Sequence, residues 1–117
     1  MATSLKVYKN GNEYGAEYTF EFPNEGFQMH DHPAGQEHNI ICLQGKVLVY
    51  GGGWQKLLNI GEIYETIAGT RHEVAALEAN TVIRNLYLDN QPQNHPQWDP
   101  AIEYRIPTEI VSPPTIV

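Results

Sequence analysis

The apolar residues of this chain come in short alternating runs without a helical period, and nearly every run is cut by Gly, Pro or Asn. Ten glycines and eight prolines in 117 residues place a turn signal every few positions. A helix does not propagate through such punctuation, since an interior glycine costs about 1 kcal/mol and an interior proline about 3 kcal/mol. Strands of about five residues fit between the breaks. Residues 17–22 (EYTFEF) alternate polar and aromatic side chains, as a half-buried strand does. Further strands are predicted over 5–8, 27–32, 38–43, 46–50, 54–58, 62–67, 72–76 and 81–88. The runs 38–43 and 46–50 flank Gln44-Gly45 and read as a hairpin, and Gly51-Gly52-Gly53 reads as the turn after them. About nine strands at 8–12-residue spacing describe an all-β sandwich or barrel.

Residues 89–117 depart from this pattern. Six of the eight prolines lie there, so the stretch does not read as a central strand. The sequence therefore divides into a β-domain over 1–88 and a Pro-rich extended segment over 89–117. Trp98, Ile102, Tyr104, Ile106, Ile110 and Val111 give that segment apolar surface to bury against the barrel or a partner subunit, and a homodimer is expected. Lys+Arg 7 against Asp+Glu 14 leaves a net charge of −7, which argues against nucleic acid and anionic membranes as partners. No apolar run approaches the roughly 18–20 residues of a membrane span, and the first residues lack the apolar stretch of a signal peptide. One cysteine excludes an internal disulfide framework. The expectation is a soluble, cytoplasmic domain.

Histidines carry the chemistry. His30 and His32 stand two apart, so on one strand they share a face and form a chelating pair. His38 opens the next run, on the face of Ile40 and Cys42. His72 opens the run that continues through Val74 and Ala76. All four can project into one interior, and imidazole is a ligand for Fe, Ni, Cu, Zn, Co or Mn. Cys42 reads as a small buried hydrophobe, Trp54 and Trp98 as core or interface residues, and His95 as a loop residue.

The run from Gly26 through His30, His32, Glu37 and His38 to Gly45 resembles the first motif of the cupin superfamily. The run from Gly61 through Gly69 to His72 resembles the second. The resemblance covers about residues 20–88 and implies a double-stranded β-helix, a jelly roll closed into a small barrel with a divalent transition metal near one mouth. In the family pattern a glutamate stands between His-x-His and the following glycine. Counting back from Gly45 that position falls on His38, and counting forward from His32 it falls on Glu37. Strand alternation favours His38, giving a set of His30, His32, His38 and His72, and a β-bulge would favour Glu37.

Four neutral imidazoles leave the divalent charge uncompensated, so the expected ligand is a small anionic organic molecule. The resemblance implies a metal-dependent enzyme, of dioxygenase type or an isomerase or lyase. The alternatives are a non-catalytic small-ligand module and a structural domain. Acid–base candidates are Tyr64, Glu62, Glu65 and Arg71 near the second motif, with Tyr50 and Tyr87 depending on register. Arg84 would bind a substrate carboxylate if Val82, Leu86 and Leu88 face inward; otherwise it belongs to an ion pair. Gln28 shares the face of His30 and His32 in a regular strand. The inward apolar residues expected around the metal are Ile40, Cys42, Val47, Val74, Leu86 and Leu88.

Overall fold

Every regular element among the described residues is a β-strand. The computed structural model describes residues 3–10, 13–30, 39–67, 69–87 and 109–117. The strands are β1 (Thr3–Asn10), β2 (Glu13–Phe20), β3 (Glu25–His30), β4 (Asn39–Gln44), β5 (Val47–Gly51), β6 (Trp54–Leu58), β7 (Ile63–Glu65), β8 (His72–Ala76), β9 (Thr81–Tyr87) and β10 (Glu109–Ile110). They form two five-stranded antiparallel sheets. Sheet A has the order β1-β2-β9-β4-β7 and sheet B the order β10-β3-β8-β5-β6. The spacing of the turns predicts an all-β sandwich or barrel and the resemblance implies a jelly roll, and the two antiparallel sheets agree with both. Among the described residues no helix is long and apolar enough to cross a membrane.

The predicted hairpin of 38–43 with 46–50 does not form, because β4 lies in sheet A and β5 in sheet B. Gly45 adopts φ +77° and turns the chain from one sheet into the other, and a side chain there would collide with Thr81. Ile40 and Cys42 on β4 and Val47 and Val49 on β5 therefore face the same interior from opposite walls. The actual hairpin is β5–β6, with Gly51 opposite Trp54 across the glycine turn.

The core follows from alternation. From sheet A, Tyr18, Phe20, Ile40, Cys42 and Ile83 point inward; from sheet B, Phe27, Val47, Val49, Leu58, Val74 and Ala76 do so. Phe27 meets the rings of Tyr18 and Phe20 edge-on, at centroid distances of 4.9 and 5.7 Å. Each such aromatic pair contributes about 0.5–1.5 kcal/mol beyond the area it buries. Cys42 is fully buried, with Sγ 3.6 Å from the Gln44 carbonyl and 3.5 Å from that of Gly45. Burial pushes its thiol up from the ordinary range.

On β9 the inward residues are Thr81, Ile83 and Asn85, since Ile83 pairs with Cys42 and Tyr18, and Asn85 with Ile40 and Ala16. This corrects the register in which Val82, Arg84 and Leu86 line the interior. Arg84 lies on the outer face and donates to Glu17 Oε2 at 3.2 Å, across the strand pair. Leu86 is buried, but on that outer face as well. Leu88 lies outside the described residues.

Sheet B is covered on both faces. Residues 109–117 pair with β3 through Glu109–Gly26 and Ile110–Glu25, then run toward β6 at the far side of the sheet. The Val111 amide donates to the Asn24 carbonyl at 2.8 Å. At the other end Gln55 donates to the Thr115 carbonyl and accepts from the Val117 amide, both at 3.1 Å. Val111 packs there with Leu48, Tyr50 and Ala75 in a second apolar cluster. Residues 88–108, most of the expected Pro-rich segment, lie outside the described residues.

Two outcomes follow from this packing. Val111→Ala should cost about 1–2 kcal/mol in urea unfolding, and deletion of 109–117 should cost more and raise binding of an apolar dye, because Leu48 and Ala75 lose their cover. The Cys42 thiol should react with an aromatic disulfide reagent at least about 100-fold more slowly in the native protein than in urea-unfolded chain, since the thiolate is the reactive form and burial disfavours it.

Candidate functional site

The pairing of β3 with β8 places the first pair of expected ligands. Gly26 opens the contact, because its backbone passes so close to the Val74 carbonyl that any side chain would collide with it. Glu25, fully buried, closes the preceding turn by accepting the Phe22 amide at 2.6 Å. Phe27 then stands opposite Val74, and the next paired position is His30 opposite His72. Three steps on β3 correspond to two on β8, so one residue is bulged out. Without the bulge Met29 would stand opposite His72. Two histidines far apart in sequence thus become direct cross-strand partners.

His72 is held in place by burial and by its own turn. It is 0% exposed, and its Nδ1 lies 3.0 Å from the Thr70 carbonyl oxygen. A carbonyl only accepts, so Nδ1 carries the hydrogen and the neutral ring keeps its lone pair on Nε2, which is itself buried. A backbone carbonyl that orients a ring and fixes its tautomer in this way is the usual outer partner of a metal-ligating imidazole. The turn at Gly69-Thr70 supplies that carbonyl, with Gly69 at φ +79° and the Thr70 amide bonded to the Ile67 carbonyl at 3.1 Å. The donor chemistry of His72 therefore fits a transition metal.

Around His72 the interior becomes aromatic and polar. The Tyr64 ring lies 6.3 Å from the imidazole, centroid to centroid, and Trp54 stacks on Tyr64 at 5.6 Å. Gly51 lies against Trp54 so closely that a side chain there would strike the indole. Burial pushes the Tyr64 phenol up, which keeps it a neutral hydrogen-bond donor at physiological pH. The other acid–base candidates of the second motif, Glu62, Glu65 and Arg71, are exposed. Glu62 accepts the Asn59 amide at 2.8 Å instead, and that bond holds its carboxyl below the usual range.

One inward polar residue was not anticipated from the sequence. Asn85 is 7% exposed and stands in the cross-strand row Ala16–Asn85–Ile40–Tyr64. The run TVIRNLYL has apolar residues on both faces, so alternation alone does not place its asparagine. Arg84, the expected carboxylate binder, is on the opposite face with Glu17. His32, Glu37 and His38 lie outside the described residues. Among the described residues no group of three or more His, Cys, Asp or Glu side chains is placed to hold a metal.

Neither a protein-family model nor a curated protein sequence matches the chain. Solved structures do. KdgF from Halomonas sp. superposes with a TM-score of 0.62 at 20% identity, over 72% of this chain and 76% of its own. A cupin-2 domain-containing protein from Shewanella frigidimarina gives 0.60 at 21% identity, over 72% and 78%. An HTH_3 family transcriptional regulator from Vibrio cholerae gives 0.57 at 20% identity, over 72% of this chain but 49% of the regulator. At these identities the likeness is one of architecture, and with the two antiparallel sheets it shows that the chain has the cupin fold.

Proposed function

We propose that this chain is a metal-dependent cupin that binds a divalent transition metal through His30, His32, His38 and His72 and acts on a small anionic organic molecule beside it. The observation that carries the reading is the register of His30 with His72, together with the Nδ1–H tautomer of His72. When bound, the metal would supply a Lewis-acidic centre for an anionic oxygen ligand and, if redox-active, a site for dioxygen chemistry. The protein's own part is positional. The Thr70 carbonyl holds the His72 ring, and the neutral Tyr64 phenol offers a hydrogen bond toward a ligand. Trp54 braces Tyr64, and Ile40 lies beside it as an apolar wall.

A second reading has its own support. The fold is shared with part of a transcriptional regulator, a setting that suits a module that binds a ligand without converting it. On this reading metal and ligand bind, and no turnover follows.

Metal analysis of protein purified without an affinity tag, beside His72→Ala and His38→Ala, tests the site. Near-stoichiometric metal in the parent and a loss of affinity of at least about 100-fold in His72→Ala are expected, since even outer partners of a ligand are worth 10–100-fold. Full metal retention in His72→Ala would overturn the proposal. Retention in His38→Ala alone would move the remaining ligand to Glu37. Oxygen uptake and product analysis with small organic acids then separate the enzyme from the binding module.

A further inference from the structure

The interior holds a polar group that the metal reading does not use. Asn85 is more than nine-tenths buried, and its Oδ1 is fully enclosed and accepts no hydrogen bond among the described residues. Its neighbours in the row, Ala16 and Ile40, are apolar and offer no donor. The next residue in that row is Tyr64, which lies beside His72, so Asn85 belongs to the same end of the barrel as the candidate ligands. Adjacent strands are about 4.8 Å apart and facing sheets about 10 Å apart. Asn85 and Tyr64 flank β4 and so stand about 10 Å apart, and a metal-bound molecule of a few carbons lying between them is of the size to span toward Asn85.

An enclosed amide oxygen without a donor is a net cost to the fold. Natural interiors leave few such groups, and those that persist are concentrated where a function requires them. Most inward residues next to Asn85 on its own strand and its neighbours are apolar, so an apolar side chain of similar volume would pack at this position without the penalty.

We propose that Asn85 is a ligand-binding residue whose Oδ1 accepts a hydrogen bond from a hydroxyl group of the bound molecule, so that the preferred ligands are hydroxy acids rather than the corresponding keto acids. The assignment rests on the metal-site reading for the anionic end of the ligand, and adds to it a donor at the other end. The Tyr64 hydroxyl and the Asn85 carbonyl oxygen then give the site one donor and one acceptor on the same row. A ketone meets an acceptor in Asn85 Oδ1 and gains nothing there, whereas an alcohol satisfies it.

L-lactate and pyruvate, which differ at one carbon by alcohol against ketone, are the probes. Metal content is measured first, and calorimetric titrations follow on the metal-loaded parent and Asn85→Leu. The parent should prefer lactate. Asn85→Leu should weaken lactate about 5–30-fold, the loss of one buried hydrogen bond, and leave pyruvate within about twofold. Ligand-free Asn85→Leu should melt about 4 °C higher than the parent, because the enclosed acceptor is gone. A purely structural asparagine gives the reverse pattern, a lower melting temperature with lactate binding unchanged, and that result overturns the assignment. So does a metal-loaded parent that binds neither acid or binds both equally. A parent that takes no metal sinks the metal reading by itself, and the melting comparison still decides whether Asn85 is held against the interests of the fold.

Discussion

The antiparallel contact between β3 and β8 is the constraint on which the site rests. It begins with two backbones pressed together at Gly26 and Val74, a proximity that excludes any side chain at position 26. It continues with the Phe27–Val74 pair, whose side chains anchor the centre of the core, and ends after one bulged residue at His30 and His72. The order matters energetically. Phe27 and Val74 are each worth about 1.5–3 kcal/mol when buried, so the apolar part of the ladder sets the register. The histidines inherit that register and do not have to establish it. A change that loosened the Gly26 end, such as Gly26→Ala, would displace the histidines through the same ladder, although it touches neither of them.

The interior is graded along the barrel. One end is filled by Phe20, Val47, Ala76 and Leu58, and the middle by Tyr18, Phe27, Val49, Val74, Ile83 and Cys42. At the row of Asn85, Ile40 and Tyr64 polar side chains enter on the His72 side of the interior. A rigid apolar plug below a polar end is the arrangement in which hydrogen bonds and metal–ligand bonds are strongest, because little water competes for them. Sheet B needs cover on its outer face to be that rigid. Leu48 and Ala75 alternate with Val47, Val49, Val74 and Ala76, so β5 and β8 are apolar on both sides, and the 109–117 stretch seals the second side with Val111. The run KVLVY, apolar at successive positions, is the sequence expression of a strand covered twice.

Much of this was legible in the sequence, for identifiable reasons. The alternation in EYTFEF and the glycine and proline breaks located the strands, and the glycines of the two motifs turn out to sit at a close approach and at turns with positive φ. The corner at Gly45 reads as a hairpin in sequence because a two-residue link with glycine suits both a tight hairpin and a passage between sheets; the chemistry of the link is the same, and only the opposing wall of the sandwich decides. The bulge between Phe27 and His30 had no local signal at all, since neither Gln28 nor Met29 demands it. On β9 the parity was ambiguous: Val82, Leu86 and Leu88 fit one face and Ile83 the other. The tie is broken by Tyr18 and Cys42, which lie on other strands, and breaking it moves Arg84 out and Asn85 in.

That exchange has a physical logic. An inward Arg84 would have brought a full positive charge into a low-dielectric interior already expected to hold a divalent metal and neutral imidazoles. On the outer face the same guanidinium meets Glu17, a half-exposed pair worth about 0.2–1 kcal/mol, and costs the fold nothing. Asparagine brings polarity inward without charge. A neutral amide beside a metal can discriminate among ligands by the presence of a donor while leaving the metal as the only strong attraction for their anionic end. On the proposed reading, selectivity falls to the row of Asn85 and Tyr64 on sheet A and affinity to the histidine pair on sheet B.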